Sequence, residues 1–233
     1  MRAALVITIA CWPAILSVSQ DHLSPEPGIL AKEDDYYLKL RDVFAEVYRS
    51  KVVLQVVLIP SFQAEEIVGI RKTDKGFEAF APTPSSSVWS TYNIWAIESG
   101  EQCWKDEHGH DIPLEKNPTL ADLKSHAPSD FRLISVHTDS RPISARLTER
   151  IERVWQKMLL DAQHPKNPGL GADGETYHFS MWIRMHGIVS GEVWSPSEGK
   201  TLALTNLAKA LANYAKGHAD EDSLSKLLKS FEP

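Results

Sequence analysis

The chain contains 233 residues, of which 42% are hydrophobic and 24% are charged, and these values are ordinary for a globular protein with a buried core. It carries 25 lysines and arginines against 31 aspartates and glutamates, a formal charge of −6. Because the excess acid is spread along the chain and no basic stripe can neutralise phosphates, the composition argues against a nucleic-acid-binding protein.

The N-terminal segment has the features of an export signal. Arg2 precedes an apolar run over residues 3–16, and Ser17 and Ser19 then place small residues at the two positions that a signal peptidase reads. The run is shorter than the ~20 apolar residues that a membrane span requires, and no other segment approaches that length. We therefore expect a signal peptide over residues 1–19, cleaved after Ser19, and a periplasmic or secreted protein.

Two alternatives for this segment are a buried N-terminal helix and a lipoprotein signal around Cys11, although Thr8 stands where a lipoprotein signal requires an aliphatic residue. Cleavage after Ser19 would remove Arg2 and no acid, leaving 24 basic and 31 acidic residues and a formal charge of −7. Cys103 would remain as a single cysteine, so no internal disulfide could form and the fold would depend on its hydrophobic core.

The first part of the mature chain combines a helix with several strands. Residues 20–33 are predicted to form a flexible leader, and the apolar spacing of residues 34–50 predicts an amphipathic helix. Val52 to Ile59 is almost entirely apolar and mostly β-branched, as expected for a strand that is buried on both faces. Shorter strands are predicted over residues 67–71, 77–80, 88–97 and 131–137, with a turn at 73–76, a loop at 82–87 and a helical turn at 120–123.

The second part contains amphipathic helices on either side of a β-hairpin. Ser144 can cap a helix over residues 144–162, and Pro165 prevents its continuation. A tight turn at His186 and Gly187 joins two strands. The strands are predicted over residues 176–185 and 188–194, and helices follow over residues 202–216 and 224–231, with Gly217 as the stop of the first of these helices.

These elements predict one α+β domain over residues 34–233. Strands joined by short turns pair antiparallel, so the sheet should be antiparallel with the strand at 52–59 in its centre. The amphipathic helices over residues 34–50, 144–162 and 202–216 should pack against this sheet.

Residues 169–174 contain the G-x-G-x-x-G spacing of dinucleotide-binding loops, at Gly169, Gly171 and Gly174. Such a loop needs a strand before the glycines and a helix after them, because the helix N-terminus holds the pyrophosphate. In this chain the predicted order is reversed, and no acidic residue stands at the expected distance downstream. We therefore interpret these glycines as turn residues with positive φ, and we predict no cofactor.

The strand after these glycines has a composition that predicts a binding face. Alternation places one set of side chains toward the core: Tyr177, Phe179, Met181, Ile183 and Met185. The opposite side carries His178, Ser180, Trp182, Arg184 and His186, with Glu192 and Trp194 of the partner strand. Tryptophan and arginine are common interface anchors, so we predict a binding surface that contains His178, Trp182, Arg184 and Trp194. The alternative is that the C-terminal helix covers this side and that Trp182 belongs to the core.

A histidine pair offers a candidate metal site. His108 and His110 would point the same way in an extended segment, so they could bind Zn²⁺ or Cu²⁺ with His126 or His137 as a third ligand. No H-E-x-x-H spacing is present, and a solvated loop is the alternative interpretation.

Nucleophilic catalysis has little support in the sequence. Ser190 and Ser195 both lack the strand-to-helix turn of a G-x-S-x-G motif. Cys103 precedes a tryptophan, as the nucleophile of papain-like proteases does, but the surrounding C-G-x-C pattern is missing. Adjacent carboxylates such as Glu65 and Glu66 would face opposite sides of a strand and give no acid–base pair.

Two short motifs carry a resemblance: D-G-x-x-Y-x-F at residues 173–179, and W-S-P-x-x-G at residues 194–199 followed by a leucine-rich helix. With the segment at residues 59–70, they resemble uncharacterised exported proteins of Gram-negative bacteria. Some immunity proteins of polymorphic toxins are similar in size, export and acidity. The resemblance implies export and brings no catalytic residue with it.

The sequence therefore predicts an exported, non-catalytic binding protein with a protein or cell-envelope partner, which could act like an immunity or inhibitor protein. The alternative is an exported hydrolase or a metal-dependent enzyme that uses His178 or the pair of His108 and His110. We expect no nucleic-acid partner and, after signal cleavage, no membrane span.

Overall fold

The computed structural model of the protein describes residues 21–100, 118–164 and 174–232. Within these ranges the strands form one antiparallel sheet, and α-helices pack on both of its faces. The α+β fold predicted from the sequence is confirmed. The predicted signal peptide, Cys103, His108 and His110 lie outside the described ranges.

The sheet has seven strands in the spatial order β1-β7-β6-β2-β3-β4-β5. Their bounds are β1 Ser24–Pro25, β2 Val52–Pro60, β3 Glu66–Thr73, β4 Gly76–Pro84, β5 Val136–Ile143, β6 Glu175–Ile183 and β7 Gly187–Trp194. β2 pairs with β6 on one side and with β3 on the other. The prediction of a central strand is confirmed, and both faces of β2 are buried.

The helices of the described ranges form a layer on each face of the sheet. They are α1 Asp35–Val43, α2 Ala45–Arg49, α3 Val88–Glu98, α4 Pro118–His126, α5 Ala145–Leu160, α6 Gly199–Ala215 and α7 Glu221–Leu228. On the face covered by α5, α6 and α7, Trp155 packs edge-to-face on Phe179 at 5.1 Å between ring centroids. On the face covered by α1, α2 and α3, Phe44 and Val57 of β2 belong to one buried hydrophobic cluster. None of the helices in the described ranges has the length and apolar character needed to cross a membrane.

Local end signals of two helices are formed as the sequence predicts. The Ser144 hydroxyl oxygen accepts a hydrogen bond from the Leu147 N–H at 3.4 Å, which satisfies a free donor at the start of α5. Gly217 follows α6 with φ +79°, the left-handed conformation that ends helices. These ends depend on neighbouring residues only, so the sequence is sufficient to predict them.

Helix α3 replaces the strand predicted over residues 88–97. Its first turn is satisfied by two acceptors: Ser87 Oγ accepts from the Ser90 N–H at 3.1 Å, and the Glu65 carboxylate accepts from the N–H groups of Val88 and Trp89 at 2.7 Å each. Aromatic and β-branched residues favour strands, but this preference is weak and tertiary packing overrides it. The strand prediction was wrong because the start of this helix depends on the Glu65 carboxylate, which comes from a part of the chain that is distant in sequence.

The predicted bounds of β4 and β5 are also corrected. Residues 131–133, predicted as strand, form a 3-10 turn in which the Asp130 carboxylate accepts from the Arg132 N–H at 2.9 Å. β4 continues through Pro84 into the predicted loop. Beyond Phe80 it pairs with β5 alone, so its prolines interrupt no hydrogen bonds to β3.

Residues 21–33 pack on the sheet and do not form the flexible leader that the sequence predicts. Leu23 is fully buried, and its carbonyl oxygen accepts from the Gln163 N–H at 2.8 Å. Ser24 stands opposite Glu192 in the pairing of β1 with β7. The chain then turns onto the face covered by α1, where Ile29 is buried. A two-residue strand has no detectable periodicity, so only its tertiary contacts reveal it.

Candidate functional site

The core-facing side of β6 is confirmed except at its end. Tyr177, Phe179, Met181 and Ile183 are buried against the helices of the α5 layer. Met185, predicted to share this side, is 90% exposed, because it lies in the hairpin turn with φ +74°. The alternation of a strand stops where the turn begins.

Residues 26–31 divide the predicted binding surface into a covered part and an exposed part. Trp182 is 61% exposed and pairs directly with Ile188, which is 60% exposed. Arg184 is also exposed. His178 is only 3% exposed, contrary to the expectation that it faces solvent, because residues 26–31 lie over it. We call the exposed set of Trp182, Arg184, Met185 and Ile188 the hairpin end.

The remaining member of the predicted surface, Trp194, is 42% exposed but lies apart from the hairpin end. It is six residues beyond Ile188 on β7, a separation of about 20 Å along an extended strand. The alternative that the C-terminal helix covers this side of the sheet is wrong, since α6 and α7 pack on the opposite face with Tyr177 and Phe179.

His178 belongs to a cluster of titratable side chains, which we call the His178 centre: Glu26, Lys32, His178 and Glu192. The side chains of His178 and Glu26 are each 3% exposed, whereas that of Glu192 is 38% exposed. The Nδ1 atom of His178 is 3.0 Å from both carboxylate oxygens of Glu26 and 3.4 Å from Oε2 of Glu192. Lys32 Nζ is 3.1 Å from Oε2 of Glu26 and 3.5 Å from Oε2 of Glu192. Glu192 stands opposite His178 in the pairing of β6 with β7, whereas Glu26 and Lys32 come from the N-terminal segment.

The contacts of the His178 centre keep Glu26 ionised. Burial alone would raise the pKa of Glu26, but the hydrogen bond and charge of His178 together with the Lys32 ammonium lower it below its ordinary value. Burial likewise works against the charge of Lys32, and the carboxylate of Glu26 outweighs it and raises the pKa of Lys32. Because a carboxylate only accepts hydrogen bonds, Nδ1 of His178 carries a proton and donates to Glu26.

A cavity of about 190 Å³ adjoins the His178 centre, with residues 26–31 as one wall and Gln55, His178 and Ser190 on the other. Gln55 Oε1, His178 Nε2 and Ser190 Oγ are buried, and none has a hydrogen-bond partner among the described residues. The sheet register brings them together, since Gln55 pairs with Ser180 and Ser180 pairs with Ser190. Buried polar atoms are nearly always paired, so three unpaired atoms around one cavity indicate a binding site.

Gly28 allows residues 26–31 to form this wall of the cavity. Its φ is +78°, and a Cβ atom added there would lie 2.5 Å from Ser190 Oγ. The Glu26 N–H donates to the carbonyl oxygen of Ser190 at 3.5 Å, beside the same contact. A residue with a side chain at position 28 would therefore collide with the sheet.

Three ligating groups of the His178 centre could approach one metal ion. The ligand atoms of Glu26, His178 and Glu192 lie within 4.8 Å of one another, and the described ranges contain no second set of this kind. The donor types suit a divalent transition metal. Lys32 already contacts both carboxylates, so a cation at this position would have to displace its ammonium group.

The proposed third ligands for the pair of His108 and His110 are both exposed. His126 lies in α4 and His137 in β5, where its Nε2 atom is 3.3 Å from Asp139 Oδ1. Since the pair itself lies outside the described ranges, the predicted metal site stays a prediction.

Gly174 is the one member of the glycine motif within the described ranges, and a strand follows it as predicted. Its φ is not positive, contrary to the prediction. A Cβ atom added at this position would collide with the side chains of Ser195 and Trp194. Close packing therefore explains this glycine, whereas Gly169 and Gly171 lie outside the described ranges.

A larger cavity, of about 480 Å³, lies between α5 and the C-terminal residues. Its basic side chains include Arg150, which is 2.8 Å from Glu232. None of the residues that line it carries a buried polar atom without a partner in the described structure. Its chemistry is therefore that of an ordinary charged surface, and the cavity at His178 is the stronger candidate site.

Sequence reasoning missed Glu26, Lys32 and Gln55. The first two lie in a segment rich in proline and glycine, which is typical of loops. Gln55 could have been found, because it is the single polar residue inside the apolar run of β2. A polar side chain in a strand buried on both faces needs a partner, and so points to a polar site inside the fold.

Comparisons of the chain with protein families, curated proteins and solved structures find no match. Functional inference therefore depends on the geometry of the hairpin end and of the His178 centre.

Proposed function

We propose that the protein is exported and binds a protein or cell-envelope partner through the hairpin end. The observation that carries this proposal is the exposure of Trp182, Met185 and Ile188 at 61%, 90% and 60% on one hairpin. Large apolar side chains that cluster on a surface mark interaction sites, and Arg184 adds a second anchor type that interfaces favour.

Capture of partners from envelope extracts tests this proposal. The bait is the mature chain, with Trp182→Ala/Arg184→Ala as the variant and Trp194→Ala as the matched control, because Trp194 is an exposed tryptophan outside the hairpin end. We expect the double variant to recover at least ten-fold less partner, and the control to recover as much as the wild type. Equal recovery by the double variant would remove the hairpin end as the interface.

Export is supported by the arrangement of Arg2, the apolar run and Ser19 in the sequence. Cleavage after Ser19 leaves Glu26 and Lys32 in the mature chain, so the His178 centre is retained. Mass spectrometry of the protein from the periplasmic or secreted fraction should show a chain that begins at Gln20. Recovery of the intact chain from the cytoplasm alone would contradict export.

The geometry of His178 also favours a second candidate function, that of an exported hydrolase. A carboxylate on Nδ1 orients the ring, and Nε2 lines a cavity, as in a general base. Within the described ranges no serine or cysteine hydrogen-bonds to Nε2, so such a base would activate water. A panel of chromogenic esters is tested with the wild type and with His178→Gln. Turnover that the variant loses would establish hydrolysis, and equal background rates would exclude ester hydrolysis at His178.

A further inference from the structure

Three side chains of the His178 centre hold their ligand atoms close to the separations found around a metal ion. Nδ1 of His178 is 3.0 Å from Oε2 of Glu26 and 3.4 Å from Oε2 of Glu192. Nitrogen and oxygen ligands lie about 2.0–2.2 Å from Zn²⁺ in a tetrahedral site, so neighbouring ligand atoms lie about 3.3–3.6 Å apart. Only small side-chain movements are therefore needed for the three atoms to coordinate one ion.

The donor set selects the class of metal. It consists of one imidazole nitrogen and two carboxylate oxygens. Imidazole is a ligand of Zn²⁺ and neighbouring transition metals, whereas Mg²⁺ and Ca²⁺ prefer oxygen ligands alone. A divalent ion would also balance the charges of both carboxylates. The set therefore fits a divalent transition metal.

A second observation, independent of these distances, comes from the other nitrogen of the ring. Nε2 of His178 is buried without a partner among the described residues, and it lines the cavity with Gln55 and Ser190. An imidazole that binds a metal through Nδ1 carries its proton on Nε2, whatever the protonation state of the ring without metal. Metal-binding histidines almost always donate this second N–H to an oxygen acceptor. Gln55 Oε1 and Ser190 Oγ are buried oxygens without partners beside this nitrogen, so they offer the acceptor that a metal-bound ring needs.

Lys32 holds the position at which a metal ion would meet both carboxylates. Its Nζ atom is 3.1 Å from Oε2 of Glu26 and 3.5 Å from Oε2 of Glu192, the same two oxygens that approach His178. The Lys32 side chain is 16% exposed, and its Nζ atom is also 3.4 Å from the Tyr37 hydroxyl. The ammonium group can therefore leave the carboxylates and keep a polar contact. The partly exposed Glu192 gives an ion a route from solvent.

We propose that Glu26, His178 and Glu192 bind one divalent transition-metal ion in place of the Lys32 ammonium group. The ligands are Nδ1 of His178 and an oxygen of each carboxylate, and water completes the coordination. The site does not include the hairpin end, and the inference does not depend on the proposed function.

Titration of the metal-free protein with Zn²⁺, in competition with a chromogenic chelator, tests the site. The protein carries no histidine tag and has the substitutions His108→Ala/His110→Ala, which remove the other predicted metal site. We expect one zinc ion per chain. Glu192→Gln should weaken binding about ten-fold or more, because it removes a charged ligand. His137→Gln is the matched control: His137 is an exposed histidine beside a carboxylate, and its loss should leave the affinity unchanged.

A second variant tests the exchange with the ammonium group. Lys32→Leu should bind zinc about ten-fold more tightly, because the ion no longer displaces a cation that is paired with the carboxylates. Zinc should also raise the unfolding midpoint of this variant by more than that of the wild type, since the ion binds only the folded state. Lys209→Leu is the matched control, because Lys209 pairs with Glu175 outside the centre. Its zinc affinity should equal that of the wild type.

Long-range ¹H–¹⁵N NMR of the imidazole nitrogens identifies the ligand atom. We expect zinc to bind Nδ1 of His178 and the proton of the ring to lie on Nε2. Four results would overturn the inference: no saturable zinc binding, wild-type affinity in Glu192→Gln, no gain of affinity in Lys32→Leu, or ligation through Nε2. Trp182→Ala/Arg184→Ala should bind zinc as the wild type does, so failure of this site and failure of the hairpin end can be told apart.

Discussion

Glu65 and His178 are two buried ionisable side chains near α1. They differ in whether all of their polar atoms have hydrogen-bond partners. Glu65 is fully buried and accepts from the Tyr36 hydroxyl at 2.9 Å and from the N–H groups of Val88 and Trp89 at 2.7 Å each. Both of its carboxylate oxygens are thus satisfied by α1 and α3. At the His178 centre the Nδ1 side of the ring is satisfied in the same way, whereas Nε2 is buried with no partner in the described structure.

A buried charge alone therefore does not identify a functional site. Glu65 holds a helix start in place, and its hydrogen bonds close within the fold, as is usual for structural polar groups. The His178 centre keeps buried polar atoms without partners in the described structure around a cavity, an arrangement that costs stability and that proteins retain at functional sites.

The largest effect is expected for Glu65→Leu. The substitution leaves three donors unpaired, those of Tyr36, Val88 and Trp89, at about 1–3 kcal/mol each, so we expect a loss of at least about 3 kcal/mol of unfolding free energy. Urea unfolding measures it, with the neighbouring Glu66→Gln as the control. Glu66 is partly exposed and pairs with Lys216, so its loss should cost about 1 kcal/mol or less. Similar losses in the two variants would contradict the structural role of Glu65.

The next effect is expected for Gly28→Ala, which moves the wall of the cavity. The new Cβ combines a strained φ with a collision against Ser190 Oγ, at a combined cost of about 2–4 kcal/mol. Gly187→Ala is the matched control, because Gly187 has φ +77° and open space around its missing Cβ. Thermal unfolding should show a clearly larger loss for Gly28→Ala. Equal losses would mean that residues 26–31 do not pack on the sheet.

A smaller, pH-dependent effect is expected for Glu26→Gln. Because the pKa of Glu26 in the folded protein is lower than its ordinary value of 4.5, its contribution is present above that pH and is lost as the pH falls below it. We expect the unfolding free energy of the wild type to be about 1.5 kcal/mol larger than that of the variant at pH 7. This difference should disappear as the pH is lowered. Unfolding curves between pH 7 and pH 3 measure the difference, and Glu46→Gln on the exposed surface is the control. A difference that stays constant with pH would contradict the ionised state of Glu26.

Much of the fold was predictable because it depends on local patterns. The apolar run of β2, the alternation of β6 and the cap at Ser144 all involve residues within one element. The His178 centre was only partly predictable: His178 was singled out, but its burial depends on residues 26–31, which lie about 150 positions away in the chain. The wrong strand prediction at α3 has the same cause, because the first turn of this helix is satisfied by the Glu65 carboxylate, which is distant in sequence.

The unfolding free energy of Gln55→Leu, measured beside that of Glu65→Leu, tests whether the polar atoms at the His178 cavity serve binding and not folding. Leucine replaces a side chain of similar size whose carbonyl oxygen lacks a partner in the described structure. We therefore expect wild-type stability or a gain of up to about 1 kcal/mol for Gln55→Leu, against the large loss for Glu65→Leu. A loss of about 2 kcal/mol or more in Gln55→Leu would show that its polar group supports the fold, and would contradict a binding role for the cavity.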